Sequence, residues 1–335
     1  MCHRSFTRIA TALLAGLICM SAGLSQAADP WVEYQGTEGP GKGKHIVLIS
    51  GDEEYRSEEA LPMLGQILAI RHGFKCTVLF AIDRKTGAIN PDEQTNIPGM
   101  DHLGTADLVV LFTRFRELPD AEMKYFVDYF HSGKPIIALR TATHAFRYER
   151  NPKSPYAKYS FDSKEWPGGF GQQVLGETWI NHHGRHKKEA TRGLIDGRNK
   201  DHPILRGVQD IFGTSDVYGV KNLPADARIL LHGMTLTGLN PGDPPKLEKS
   251  LMPIAWVRYY KNESGKTNRI FTTTMGASVD LLNEDLRRLV VNAIYWGLEF
   301  EVPEKVNVEY AGPYEPIFYG FGEFAVGVMP SAHEW

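Results

Sequence analysis

Cysteine is scarce in this chain: three in 335 residues, at Cys2, Cys19 and Cys76. Two of them fall in the first 27 residues. A chain trimmed there keeps only Cys76 and cannot close an intrachain disulfide. Cys76 sits in the apolar run KCTVLF and reads as buried packing rather than as a nucleophile. The chain also lacks G-x-G-x-x-G and G-x-x-x-x-G-K-[ST], which excludes a dinucleotide fingerprint and a nucleoside triphosphate loop. It has no H-E-x-x-H helix motif, so a metal site is only weakly signalled by pattern. Neither charge dominates: 37 basic residues face 40 acidic ones, for a formal net charge of -3. That balance argues against a nucleic-acid partner. After the first 24 residues no apolar run is long enough for a membrane span, so no stable membrane anchor is expected.

The start of the chain has its own character. Arg4 and Arg8 precede an apolar stretch over residues 9–24, and Ser25-Gln26-Ala27 offers small residues where a signal peptidase reads. This predicts a signal peptide over 1–27 and a secreted product, periplasmic in a bacterium. The remainder, 28–335, is 308 residues of ordinary globular make-up (the whole chain is 42% hydrophobic and 23% charged) and shows no linker or repeat. We expect one domain there, with an aromatic, Pro- and Gly-rich extension from about residue 301.

Strands are predicted at 45–50, 75–80, 107–112 and 135–140, where short apolar runs end in polar turns. A helix separates the first two, with Ser57 as its cap, Leu61, Leu64 and Leu68 at helical spacing and Gly73 as its stop. Another carries Met123, Phe126, Val127 and Phe130 on one face. Later strands are expected at 229–232, 254–260 and 269–274, then a helix capped by Asn283 and marked by Leu286, Leu289, Val290, Ala293 and Ile294. Strands alternating with helices predict an α/β fold: an open, mostly parallel sheet flanked by helices.

Such sheets bind ligands beyond the carboxyl ends of their strands. Four segments should meet there: SGDEEY, FTRFRELP, RTATHAF, and WINHHGRH with the DHPILRG and SDVYGV runs that follow it. Asp52, Glu53 and Tyr55 in the first are candidates for substrate binding, or simply a helix-start turn. In RTATHAF the corner after a central strand holds Thr143 and His144 but no cysteine or serine. A thiol-based acyl transfer therefore has no candidate at that corner. His144 reads as a base or ligand, Thr143 and Arg140 as groups for a hydroxyl or an anion. In an extended chain the adjacent His182 and His183 point to opposite sides, so only one faces a given cleft. His183 is taken as the catalytic candidate and His182 as a substrate contact; His186, in a basic run, reads as a solvated loop residue. Asp216 and Tyr218 lie two apart and share a face when extended, a pairing that can orient an imidazole. Trp179 offers a stacking surface for a sugar, or core packing.

SGDEEYRSEEALPML, PIIALRTATHAF, GGFGQQVLGETWINHHG, the DHPIL turn with SDVYG, and PIAWVRYY with RIFTTTMGASVDLLNEDLRRLVVNAIYW together resemble the ThuA-like family, named for trehalose utilisation. The likeness covers about residues 44–298. It implies a flavodoxin-like three-layer sandwich akin to the class I glutamine amidotransferases, without their catalytic apparatus. It also implies carbohydrate metabolism, with 3-keto sugars as a substrate class. Where the family reads Gly-His after its last strand, this chain has Gly276-Ala277. Three functions are carried forward. One is an enzyme on a sugar or 3-keto glycoside, with His183 or His144 as base, Asp216 orienting it and Tyr218 supporting an oxyanion, or with a divalent metal polarising a carbonyl. The second is a noncatalytic carbohydrate-binding protein. The third is a partner-binding domain that docks through residues 310–335. The small-molecule partner in the first two is a carbohydrate.

Overall fold

A computed structural model describes residue 1 and residues 28–334. The expected signal segment, with Cys2 and Cys19, lies outside the described residues apart from Met1. The strands are β1 (Trp31–Gln35), β2 (His45–Gly51), β3 (Lys75–Leu79), β4 (Leu108–Thr113), β5 (Ile136–Leu139), β6 (Thr191–Ile195), β7 (Ile211–Gly213), β8 (Arg228–Thr235), β9 (Met252–Lys261) and β10 (Thr267–Thr273). The helices are α1 (Ser57–His72), α2 (Asp120–His131) and α3 (Glu284–Gly297). None of these helices is long and apolar enough to cross a membrane.

The ten strands form one sheet in the order β1-β3-β2-β4-β5-β10-β9-β8-β6-β7. The run β3-β2-β4-β5-β10 is parallel. The pairings of β1 with β3 and of β10, β9, β8, β6 and β7 in turn are antiparallel. The α/β class holds, and the sheet is mixed: a parallel centre extended by antiparallel strands at both edges. β2, β4 and β5 are buried at every position because helices cover both faces. Along β2, Ile46 and Leu48 face the core under α1 and α3, whereas Val47 and Ile49 face the core under α2. β4 repeats this, with Val110 and Phe112 on the first side and Val109 and Leu111 on the second. The period of two is the pleat itself.

α1 starts at Ser57, but Ser57 is not its cap. Arg56 precedes the helix with φ 61, and the Ser57 hydroxyl lies 2.8 Å from Ser50 Oγ and accepts from the Asp52 amide at 3.1 Å. The tight turn out of β2 needs a left-handed residue there, and the serine is spent on closing that turn. Gly73, at φ 79, ends α1 as expected. Asn283 caps α3, its side chain accepting from the Leu286 amide. The chain beyond residue 309 runs back over α1: the Ile317 amide donates to Glu59 Oε2 at 2.8 Å, and Tyr34 Oη donates to the His333 carbonyl at 2.7 Å. Cys76 is buried and free.

Chain order places the crevice. From β2 the chain crosses to β3 on one side and returns to β4 on the other. The loops leaving β2 and β4 therefore diverge, and a ligand site is expected between them.

Candidate functional site

The loop after β2 carries Asp52 to Tyr55, and the loop after β4 carries Arg114 to Arg116. Asp52 and Glu53 lie at the crevice but are engaged internally. Asp52 accepts from the amides of Glu54 and Tyr55 and, at 2.5 Å, from the Thr141 hydroxyl. Glu53 is gripped by Arg114 and, at 2.7 Å, by Arg116. Both carboxylates hold loops together.

Residues 181–183 and 217–219 pair as a short antiparallel ribbon. His182 bridges Tyr218, the His183 amide donates to the Val217 carbonyl at 2.7 Å, and the Gly219 amide donates to the Asn181 carbonyl at 2.9 Å. Alternation then decides which histidine enters. His182 turns in, and its Nδ1 meets Asp216 Oδ2 at 2.6 Å. His183 turns out, and its Nε2–H donates to the Ser250 carbonyl at 2.9 Å. The structure thus separates His183 from the cluster and puts His182 there. Gly184 makes the approach possible: a Cβ at that position would lie 2.7 Å from Asp216 Cβ.

The turn at Gly184 also brings in His186, which was read as a solvated loop residue. Its Nδ1 lies 3.2 Å from Asp216 Oδ1 and its Nε2 lies 3.0 Å from Glu54 Oε1. Asp216 is fully buried, while about a third of each imidazole is exposed (32% and 31%). Burial alone would raise the Asp216 carboxyl, but hydrogen bonds from His182 and His186 and the charge of Arg140 hold it well below the ordinary range. His186 is pushed up to about 9 by the hydrogen bonds to Asp216 and then Glu54.

Arg140, expected as an anion binder at a strand end, is wholly buried with φ 47. Its Nη1 donates to the carbonyls of Asp216 and Thr274, and its guanidinium carbon lies 4.0 Å from the Tyr55 ring centre and 4.6 Å from that of Tyr218. It is a post beneath the site, fixing the Asp216 backbone and supplying charge from below. His144 also neighbours Tyr218, with ring centres 5.4 Å apart, and lies 5.8 Å from Trp179. His182 has the same two neighbours, at 5.6 and 6.2 Å. His144 Nδ1 faces the Thr143 hydroxyl at 3.1 Å. Burial, then the charges of Arg114 and Arg140, hold His144 well below the usual imidazole range, so it is neutral. Burial raises the Tyr218 phenol against the opposing charge of Arg140, so it too is neutral.

Of the expected residues, the structure brings together Tyr55, Arg140, Thr143, His144, Trp179, His182, Asp216 and Tyr218. Three more that were not among the expected site residues join them: Glu54, His186 and Tyr319. Tyr319 comes from the chain's last segment and lies 5.5 Å from the His186 ring and 5.1 Å from the Tyr55 ring. The four-residue step from His182 to His186 was the available signal for His186; nothing in the local sequence marks Tyr319. One donor atom each from His182, His186 and Asp216 falls within 4.8 Å of the others, a grouping that can hold a cation. The arrangement joins a neutral imidazole to a strongly polar His–Asp–His edge across two aromatic rings. It is suited to moving a proton next to a carbonyl.

The ThuA family model, described as trehalose utilisation, matches residues 47–297. A ThuA-like protein from Parabacteroides merdae has a similar solved structure, with TM-score 0.50 and 17% identity over 84% of this chain and 98% of that one. Another from Bacteroides uniformis gives TM-score 0.47 and 14% identity over 79% and 95%. At these identities the likeness is one of fold. No curated protein sequence matches the chain.

Proposed function

The chain belongs to the ThuA family of trehalose utilisation, and from that premise we propose an exported protein of carbohydrate metabolism that takes a proton from a 3-keto glycoside. Family membership supports the carbohydrate role. The basic and apolar leader ending in Ser25-Gln26-Ala27 supports export. One observation carries the chemistry. His144 and His182 share Trp179 and Tyr218 as ring neighbours, beside a fully buried Asp216.

In this reading a sugar ring stacks on Trp179 with its keto oxygen toward the His182–Asp216–His186 edge. His144 takes the proton from the carbon between the keto and anomeric carbons. The electrons of that C–H bond form an enolate, whose oxygen is stabilised by the imidazole edge. The enolate collapses, the glycosidic C–O bond breaks, and His144 returns its proton to the departing oxygen. The products are an unsaturated keto sugar and an alcohol. No water and no redox partner is consumed.

The test is release of a chromogenic alcohol from a 3-keto glucoside by the mature protein and by folded H144Q and H183Q variants. H144Q is expected to lose 10²-fold or more in turnover, the order typical of general acid–base groups, and H183Q to stay within about twofold. Equal turnover in H144Q removes the base. Saturable sugar binding without product in the wild-type protein would instead make this a carbohydrate-binding member of the family.

A further inference from the structure

We propose that His182, His186 and Asp216 bind one divalent first-row metal ion, with Glu54 orienting His186 from behind. Three arguments converge on these residues. The first is the donor set. Two imidazole nitrogens and a carboxylate oxygen lie within 4.8 Å of one another. Two histidines and one carboxylate with further positions open is a set that takes zinc, iron or manganese in catalytic sites.

The second is the outer shell. A metal-bound histidine almost always gives its other N–H to a carboxylate or carbonyl, which fixes its tautomer. His186 directs Nδ1 at Asp216 and Nε2 at Glu54 Oε1, 3.0 Å away. With Nδ1 on a metal, the Nε2–H remains for Glu54, and Glu54 is buried with its backbone carbonyl tied to the Gly320 amide at 2.8 Å. Its carboxylate is therefore held on a fixed loop behind the imidazole, rather than swinging in solvent.

The third is the placement of charge. His182 and His186 both turn Nδ1 onto the Asp216 carboxylate, and Glu54 Oε1 lies 3.0 Å from His186 Nε2. Two carboxylates thus converge on one imidazole pair, an arrangement that a divalent cation between the imidazoles and Asp216 would neutralise. About a third of each imidazole is exposed, so solvent and small ligands reach the cluster, and His182 neighbours Trp179. A carbonyl oxygen from the crevice would complete the coordination there. His183, bonded to the Ser250 carbonyl, takes no part.

The experiment measures metal without substrate. Mature protein is stripped with a chelator, equilibrated with Zn²⁺, Mn²⁺ or Co²⁺, and assayed for bound metal, with the visible spectrum of the Co²⁺ form as a check on nitrogen ligation. About one ion per chain is expected in the wild type and in H183Q. H182Q and H186Q should bind at least tenfold more weakly. E54Q should keep the stoichiometry and lose about 10–100-fold in affinity, the range for an outer-shell partner. Circular dichroism confirms folding, and H182Q and H186Q serve where an Asp216 variant fails to fold. Absence of stoichiometric binding for all three ions, or binding unchanged in both H182Q and H186Q, overturns the proposal. The reaction assigned above fails or stands separately. Protein that binds none of the three ions yet releases alcohol from the 3-keto glucoside refutes the metal and keeps the reaction. Metal-loaded protein without turnover keeps the metal and refutes the reaction.

Discussion

At the scale of single residues, the site rests on polar groups whose hydrogen bonds are spent within the protein. Asp52 is the clearest. Its buried carboxylate closes the turn after β2 by accepting two amides, and reaches across to the loop after β5 through the Thr141 hydroxyl at 2.5 Å. T141V keeps the shape and removes one donor to a buried anion. It should cost about 1–3 kcal/mol, read as a lower urea midpoint at unchanged slope. An unchanged midpoint would show that Asp52 is held without it. The two adjacent histidines illustrate what was legible at this scale. Their opposite orientation follows from strand geometry alone. Which one enters is decided by the pairing of His182 with Tyr218, two segments far apart in the chain. The same holds for His186, whose partner Glu54 belongs to the loop after β2.

At the scale of elements, legibility follows burial. β2, β4 and β5 are buried at every position and mostly apolar because both faces are covered, and such runs stand out. β1, β6 and β7 escaped the sequence reading. β1 alternates polar and apolar at an edge over five residues, β6 contains Gly193 and is largely half-buried, and β7 is three residues long. None offers a run that a window can separate from loop. α3 was legible at its start because Asn283 is a side-chain cap, its Oδ1 accepting from the Leu286 amide at 2.8 Å. N283A should destabilise by about 1 kcal/mol, seen in thermal or urea unfolding. A change below about 0.3 kcal/mol would show that the cap is dispensable beside the packing of α3.

At the scale of the whole molecule, buried imidazoles set the acid limit of stability. Burial brings His45 and His202 down to about 4 and lowers His72 and His333 as well. The unfolded chain protonates these groups first. Their contribution is complete above the ordinary histidine value near 6.5 and is lost as pH falls from there through about 4. Glu58 acts at the other limit. Burial raises its carboxyl to about 8, so its contribution is present in acid and fades as pH rises through that value. Urea midpoints should therefore fall between pH 6.5 and pH 4, less steeply in H45Q than in wild type; parallel curves would remove His45 from the account. The tail raises a different matter. Tyr319 completes one wall of the site, and the segment carrying it is pinned at Gly320 to the Glu54 carbonyl and to Arg56, 264 positions earlier. Closing so long a loop before the sheet stands is entropically unfavourable. During refolding that wall is therefore expected to arrive after the sheet, so that competence to bind follows sheet formation in time.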